Sequence, residues 1–370
     1  MSEGSVEEVE PTIREKVKTV GGELDSSKRA GTFLQIDQRT QLVSSFRKDV
    51  EVLPILEALK KYDWMEDYYW KAVSPEKDEY TREVDCCEDI NGYFIRAPKG
   101  VKVEFPVEAC LYLYTKGLKQ KVHNVIIVEE DAELNIISGC TAHPGVEAGM
   151  HLGVSELYVK KGAKLNFTMV HSWESDIEVR PRSVAIVEEG GVFVSNYILM
   201  NPVKLVQMYP TAYLRGKGAR GIFNSVVVAL QGSVVDIGSK VVLEAEDTSA
   251  EIVSRAISSG GNVIARGDIV ADSPKVKGHL ECMGMILSEG GRIDAIPELE
   301  SAYSDVELSH EAAIGKIAEE EIFYLMTRGL SRDEATAAII RGFLDIGIKG
   351  LPPLLQKELD KAVELVGEGM

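Results

Sequence analysis

No two cysteines in this chain stand in C-x-x-C spacing, no stretch is apolar for long enough to cross a bilayer, and no G-x-x-x-x-G-K-[ST] loop occurs. The first absence argues against a zinc ribbon or a thioredoxin-type site. The second argues against a membrane span. The third means the chain cannot hold the phosphates of ATP on a P-loop of its own. Basic residues are also short: 41 Lys and Arg face 59 Asp and Glu, a formal charge of -18. Neither nucleic acid nor an anionic membrane surface is an expected partner, because both need basic side chains to displace counterions. Met1-Ser2-Glu3-Gly4 lacks the basic and apolar parts of a secretory signal, so a cytoplasmic location is expected.

The 370 residues suffice for one large all-β domain with helical additions or for two ordinary domains. Five cysteines, at positions 86, 87, 110, 140 and 282, are too few for a disulfide framework. In a reducing compartment a special cysteine is a ligand or a nucleophile. Cys86 and Cys87, flanked by acidic residues, read as surface thiols.

Along the chain, the first thirty or so residues are charged and Gly/Ser-containing, and partial order at most is expected. From Gln38 to Lys71, Phe46, Val50, Leu53, Leu56 and Leu59 recur at helical steps, and the block Tyr68-Tyr69-Trp70 reads as packing against the main domain. From Tyr93 to Tyr303 short β-branched runs alternate with glycines and charged turns. One motif repeats: Val128-Glu129-Glu130-Asp131-Ala132-Glu133-Leu134, Val159-Lys160-Lys161-Gly162-Ala163-Lys164-Leu165, Val187-Glu188-Glu189-Gly190-Gly191-Val192-Phe193, and later Leu287-Ser288-Glu289-Gly290-Gly291-Arg292-Ile293. Repetition at about thirty residues without intervening helices predicts a parallel β-helix, with a sandwich or irregular barrel as the structural rival. After Ser309 the spacing is read as helical. Ser331-Arg332-Asp333-Glu334 is a capping box, Gly329 a stop signal, and a further helix is expected near Pro352-Pro353. The resulting division is 1–75 partly disordered and helical, 76–306 β-helix, and 307–370 helical.

Two cysteine neighbourhoods carry chemistry. Gly139-Cys140-Thr141-Ala142-His143, with His151 beyond, sets a thiol near imidazoles that could hold it as thiolate, nucleophilic toward persulfide sulfur. Cys282 with His310 and Glu311 combines metal-ligand types, a soft thiolate with more exchangeable imidazole and carboxylate, a mixture suited to a site that must build something and release it. The bland alternative is a core cysteine and two residues opening a helix. Gly216-Lys217-Gly218-Ala219-Arg220-Gly221 matches G-x-G-x-x-G but precedes a strand, so it is not a dinucleotide site.

Ser309-His310-Glu311-Ala312-Ala313-Ile314-Gly315-Lys316-Ile317, then Glu320-Glu321-Ile322-Phe323-Tyr324-Leu325-Met326-Thr327-Arg328-Gly329 and Ile340-Arg341-Gly342-Phe343, resemble the C-terminal signature of the SufB/SufD family of iron–sulfur cluster assembly scaffolds. Gly139-Cys140-Thr141-Ala142 and Trp173 resemble that family's central segment, and the short N-terminal region resembles its compact archaeal members. The resemblance implies a mainly β fold, a right-handed parallel β-helix with N-terminal and C-terminal helical regions. It implies a homodimer formed through the β-helix, and a SufC-type ABC ATPase docked on the C-terminal helices through Ile322, Phe323, Tyr324, Arg328 and Phe343. It makes Cys282, Glu311 and His310 the cluster-assembly and metal-binding residues, and Cys140 and His151 the sulfur entry and path. The chain would be a scaffold rather than an enzyme, passing a transient iron–sulfur cluster to apo-proteins after receiving sulfur from a donor. A reduced flavin is compatible with such a role but has no support in the sequence. Departures from SufB are the apolar Tyr112-Leu113-Tyr114 and His171 in place of glutamine. The alternatives are a SufD-like subunit that stabilises the ATPase complex without a cluster, and a polysaccharide-active β-helix protein.

Overall fold

A computed structural model describes residues 8–22 and 28–348. Its centre is a parallel β-helix of about eight turns. One sheet stacks ten strands, among them, in spatial order, Glu133–Ala142, Lys164–Ser172, Val192–Leu199, Arg220–Leu230, Ser249–Ser259, Val276–Ile286 and Val306–Gly315. The second long sheet faces it, and the buried Val, Ile, Leu and Phe side chains of both fill the space between.

The repeated motif is what closes each turn. Val128 pairs with Val159 and Val159 with Val187, so successive copies lie directly above one another. Leu134, Leu165 and Phe193 stack in the same way on the other side of the turn. Between them sits one residue at positive φ: Asp131 at 57°, Gly162 at 67° and Gly190 at 63°. Only Gly, Asn or Asp adopts that backbone readily, which is why the motif alternates between Asp and Gly there. The G-x-G-x-x-G run is a further copy of this turn, with Gly218 at φ 70°. Charged side chains at the turns pair between coils, as in Lys160–Glu188 and Lys161–Glu189 at 3.0 Å. Being at least partly exposed, each adds little.

Two sequence readings are corrected and one is made specific. Within the early segment helix α1, Pro11–Thr19, buries Ile13 and Val17 against the outer face of the ten-stranded sheet. The segment 38–71 is not one helical run. It forms strands Arg39–Ser45 and Glu51–Pro54 before α2, Ile55–Lys61, because Val50 and Val52 alternate into the core beside the first turn, and α3, Glu79–Asp85, comes next among the α-helices. Nor does the chain become helical after Ser309. Strand Val306–Gly315 pairs residue by residue with Val276–Met285, since an open ladder of backbone N–H and C=O groups outweighs local helical spacing. The helices α4, Glu319–Met326, and α5, Arg332–Leu344, follow it, the latter with the expected Ser331–Glu334 capping box. Strands therefore extend beyond 76–306 at both ends, from Gly31 to Gly315. The helix expected near Pro352 lies outside the described residues.

The aromatic block packs as anticipated, around one carboxylate. Glu156, fully buried, accepts hydrogen bonds from the backbone N–H groups of Trp70, Lys71, Ala72 and Val73 at 2.5 to 3.0 Å, and His123 Nε2 lies 2.8 Å from it. Tyr69 stacks on the His123 ring at 4.3 Å. Glu156→Ala would leave these four donors buried without a partner. We expect it to cost about 3–5 kcal/mol, measured by guanidinium denaturation, with hydrogen exchange accelerating first at residues 70–73.

Candidate functional site at the open end of the β-helix

Parallel pairing without a register shift stacks equivalent side chains into columns, alternately inside and outside the coil. Cys282 is 2% exposed and belongs to an inward column that reads Ser138, Met169, Tyr197, Ser225, Ser254, Cys282, Ala312. The neighbouring inward column on one side contains Cys140, His171, Leu199, Val227, Ala256, Gly284 and Ile314. On the other side Leu280 pairs with His310, so His310 shares the inward face with Cys282, offset by two residues and one strand. Glu311 pairs with Glu281 and takes the outward face.

His310 is inward yet exposed, because Val306–Gly315 is the last strand of its sheet. Strand Arg292–Ser301 ends the other sheet alongside it. Ile296 and Ile314 are exposed there, at 36% and 42%. Among the described residues no group of three or more His, Cys, Asp or Glu side chains is gathered closely enough to hold a metal ion. One chain thus brings Cys282 and His310 to one face and leaves Glu311 on the other.

Cys140 lies five strand-to-strand steps from the strand of Cys282, roughly 24 Å at about 4.8 Å per step. Its strand neighbour is His171, whose Nδ1 is 3.1 Å from the Tyr197 hydroxyl. His151 Nδ1 lies 2.8 Å from Gln120 Oε1, and the Trp173 ring contacts both imidazoles at 5.3 and 5.4 Å. Further along, Ser225 Oγ donates to Ser254 Oγ at 3.0 Å, one strand from Cys282. A cavity of about 30 Å³, room for a water molecule or two, is lined in part by Met169, Ser195, Tyr197 and Ser225. Polar side chains therefore recur along the interior between the two thiols. Tyr197, Ser225 and Ser254 had escaped notice in the sequence, where single hydroxyls in strands carry no signal until the register aligns them.

The electrostatics correct one expectation. Burial pushes the Cys140 thiol up to about 12, against a smaller lowering by a hydrogen bond with Ser138. The imidazoles do not hold it as thiolate, because burial pushes His151 down to about 4 and His171 well below its ordinary value, leaving both neutral. The Cys282 thiol is pushed up to about 11, chiefly by burial and then by Glu281, with Arg255 opposing.

The predicted docking residues fall into two sets. Phe323 and Tyr324 on α4 are 66% and 57% exposed, and Arg328 donates to the Tyr324 hydroxyl at 2.9 Å. Ile322 is buried, at 2%, and Phe343 packs from α5 onto the outer sheet face, so neither presents a free side chain. Cys86 is exposed, as read from its acidic surroundings, whereas Cys87, read as a surface thiol too, is half-buried.

A parallel β-helix with an interior row of thiol, imidazole and hydroxyl groups, open at the end where the helical tail begins, defines a class of β-solenoid protein with an unfinished last turn. Comparison with known proteins makes this specific. Residues 112–343 match the model of the SUF system FeS cluster assembly SufBD core domain. The chain is 64% identical over 352 residues to an iron-sulfur cluster assembly SufBD family protein of Archaeoglobus fulgidus, covering 95% of this chain and 94% of the relative. It is 45% identical over 367 residues to a SufBD family protein of Methanothermobacter thermautotrophicus, covering 98% and 90%. It is 32% identical over 379 residues to the iron-sulfur cluster assembly protein SufB of Bacillus subtilis, covering 100% and 81%. The chain belongs to the SufBD family of iron–sulfur cluster assembly proteins.

His151 gives a pH prediction. Its folded value is depressed below the unfolded value of about 6.5, so the unfolded chain binds the extra proton in between. Stability is present in full above pH 6.5 and falls as pH drops toward 4, by on the order of 3 kcal/mol from this residue. His151→Gln should flatten that part of the profile of denaturation midpoint against pH.

Proposed function

We propose that the chain is a scaffold on which an iron–sulfur cluster is built as cargo at Cys282, with His310 and Glu311, where two copies meet end to end. The observation that carries this reading is the unfinished last turn. It leaves a strand edge and the inward face of His310 and Ile314 uncovered beside the buried Cys282. An exposed ladder of this length is ordinarily paired or covered. A cluster takes about four ligands, more than one chain gathers there, and a second copy doubles the set. It also supplies a Glu311 approaching from outside.

The Cys140 thiolate takes the outer sulfur of a donor persulfide, with the donor thiolate as leaving group. Two electrons from an external reductant, such as a reduced flavin, then restore the Cys140 thiol and free the sulfur as hydrosulfide. This moves past His171, Tyr197, Ser225 and Ser254, side chains that can hydrogen-bond it but cannot carry it covalently. Both thiols must lose a proton to act, Cys140 on opening to the donor and Cys282 on binding iron, since a metal displaces the proton of its thiol ligand. The SufC-type ATPase docks at the exposed Phe323 and Tyr324, hydrolyses ATP in place of the missing P-loop, and its motion opens the interface for release to apo-proteins. The weaker imidazole and carboxylate ligands ease that release. The role is cytoplasmic and not that of an enzyme. No helix among the described residues is long and apolar enough to cross a membrane.

The burial and protonation of both thiols also favour a second reading, a SufD-like subunit that stabilises the ATPase complex without carrying a cluster. Cys282→Ser decides between them. On the scaffold reading it abolishes the visible absorption band after anaerobic reconstitution with iron and sulfide, while the complex with the ATPase still elutes intact. A wild-type chain that stays colourless under the same conditions supports the SufD-like reading.

A further inference from the structure

The outward face of the ten-stranded sheet carries an apolar column of Val170, Ile198 and Val226, covered by α1 and α5. The next residue in that column is Arg255, followed by Met283. A cation at this place needs a reason, since the column above it is buried under helices. Two contacts provide it. Arg255 Nη2 lies 2.5 Å from Glu281 Oε1, with both side chains largely buried, at 17% and 21% exposure. The same guanidinium lies 5.8 Å from the centroid of the Phe343 ring on α5, within cation–π range. Glu281 and Met283 flank Cys282 on its strand, and Ser254, the strand neighbour of Cys282, precedes Arg255. One side chain therefore touches the C-terminal helix on one side and the backbone neighbour of the inward thiol on the other.

We infer that Arg255 is a positioning residue that ties the placement of α5 to the strand bearing Cys282. This rests on the reading above that Cys282 is the assembly thiol and that the tail receives the ATPase. A displacement of α5 pulls on the guanidinium through Phe343. Because the guanidinium is held to Glu281 through its Nη2 contact, the pull reaches the strand at Glu281 and loosens the cover of Cys282. Lysine would keep the charge and lose the guanidinium face set against Phe343, so it uncouples the two elements without removing the charge opposite Glu281.

The test uses the full chain alone, without iron, sulfide or ATPase, so its failure is separable from failure of the scaffold reading. Native labelling with N-ethylmaleimide is followed by peptide mass spectrometry at Cys282, with the equally buried Cys140 as internal control. Phe343→Leu should raise the Cys282 labelling rate about fivefold and leave Cys140 unchanged. Arg255→Gln and Arg255→Lys should each do the same. Phe343→Leu added to either should produce no further rise, the signature of residues acting in one chain of contacts. Should Arg255→Gln fail to fold, Arg255→Lys carries the same comparison. Effects that multiply independently, labelling that rises equally at Cys140, or Cys282 labelling indifferent to Phe343→Leu would overturn the inference.

Discussion

The constraint on which the rest depends is the in-register parallel ladder. Each turn is held by the one beneath it, through backbone hydrogen bonds that leave no freedom to shift a strand by one residue without turning every inward side chain outward. Columns follow from this, and with them the placement of Cys140, His171, Tyr197, Ser225, Ser254 and Cys282 along one interior surface. The same ladder has no way to end itself. Helices α1 and α5 cover the outer face of one sheet, but the final strands, Arg292–Ser301 and Val306–Gly315, keep open edges. An interior chemical row and an unfinished end are two outcomes of a single geometry.

Burial sets the chemistry of that row. Both inward thiols are held protonated, and His171 beside Cys140 and the buried His151 are neutral, so none of these four groups carries a ready-made charge. Such a coil is inert while closed. On the proposed scaffold reading, each thiol gains reactivity only when a metal ion displaces its proton or an opened turn changes the local dielectric, which ties cluster building to a partner that opens the coil.

Much of the fold was legible in the sequence because the turn motif is local: one residue of positive φ between a charged pair and an apolar pair, recurring at the length of one coil. The candidate residues Cys282, His310 and Cys140 were legible through their types and through the resemblance of the flanking segments. What escaped was register. Nothing local says that His310 shares a face with Cys282 while Glu311 does not, or that Ser225 and Ser254 align with Tyr197. The last strand was misread for a related reason. Ser309 to Ile317 carries apolar residues at spacings compatible with a helix, and only the vacant ladder of Val276–Met285 makes it a strand. The bounds of helix α1 were not legible because Ile13 and Val17 are two apolar residues in a charged segment, a pattern whose meaning lies in the groove that receives them.

The claim at the centre of this account is that the site is completed by a second copy of the chain. Native mass spectrometry of the anaerobically reconstituted protein reads this directly. The account predicts iron and sulfide mass on a two-chain species only, one cluster for each pair of chains, and a bare single chain. A cluster retained by the single chain would contradict it.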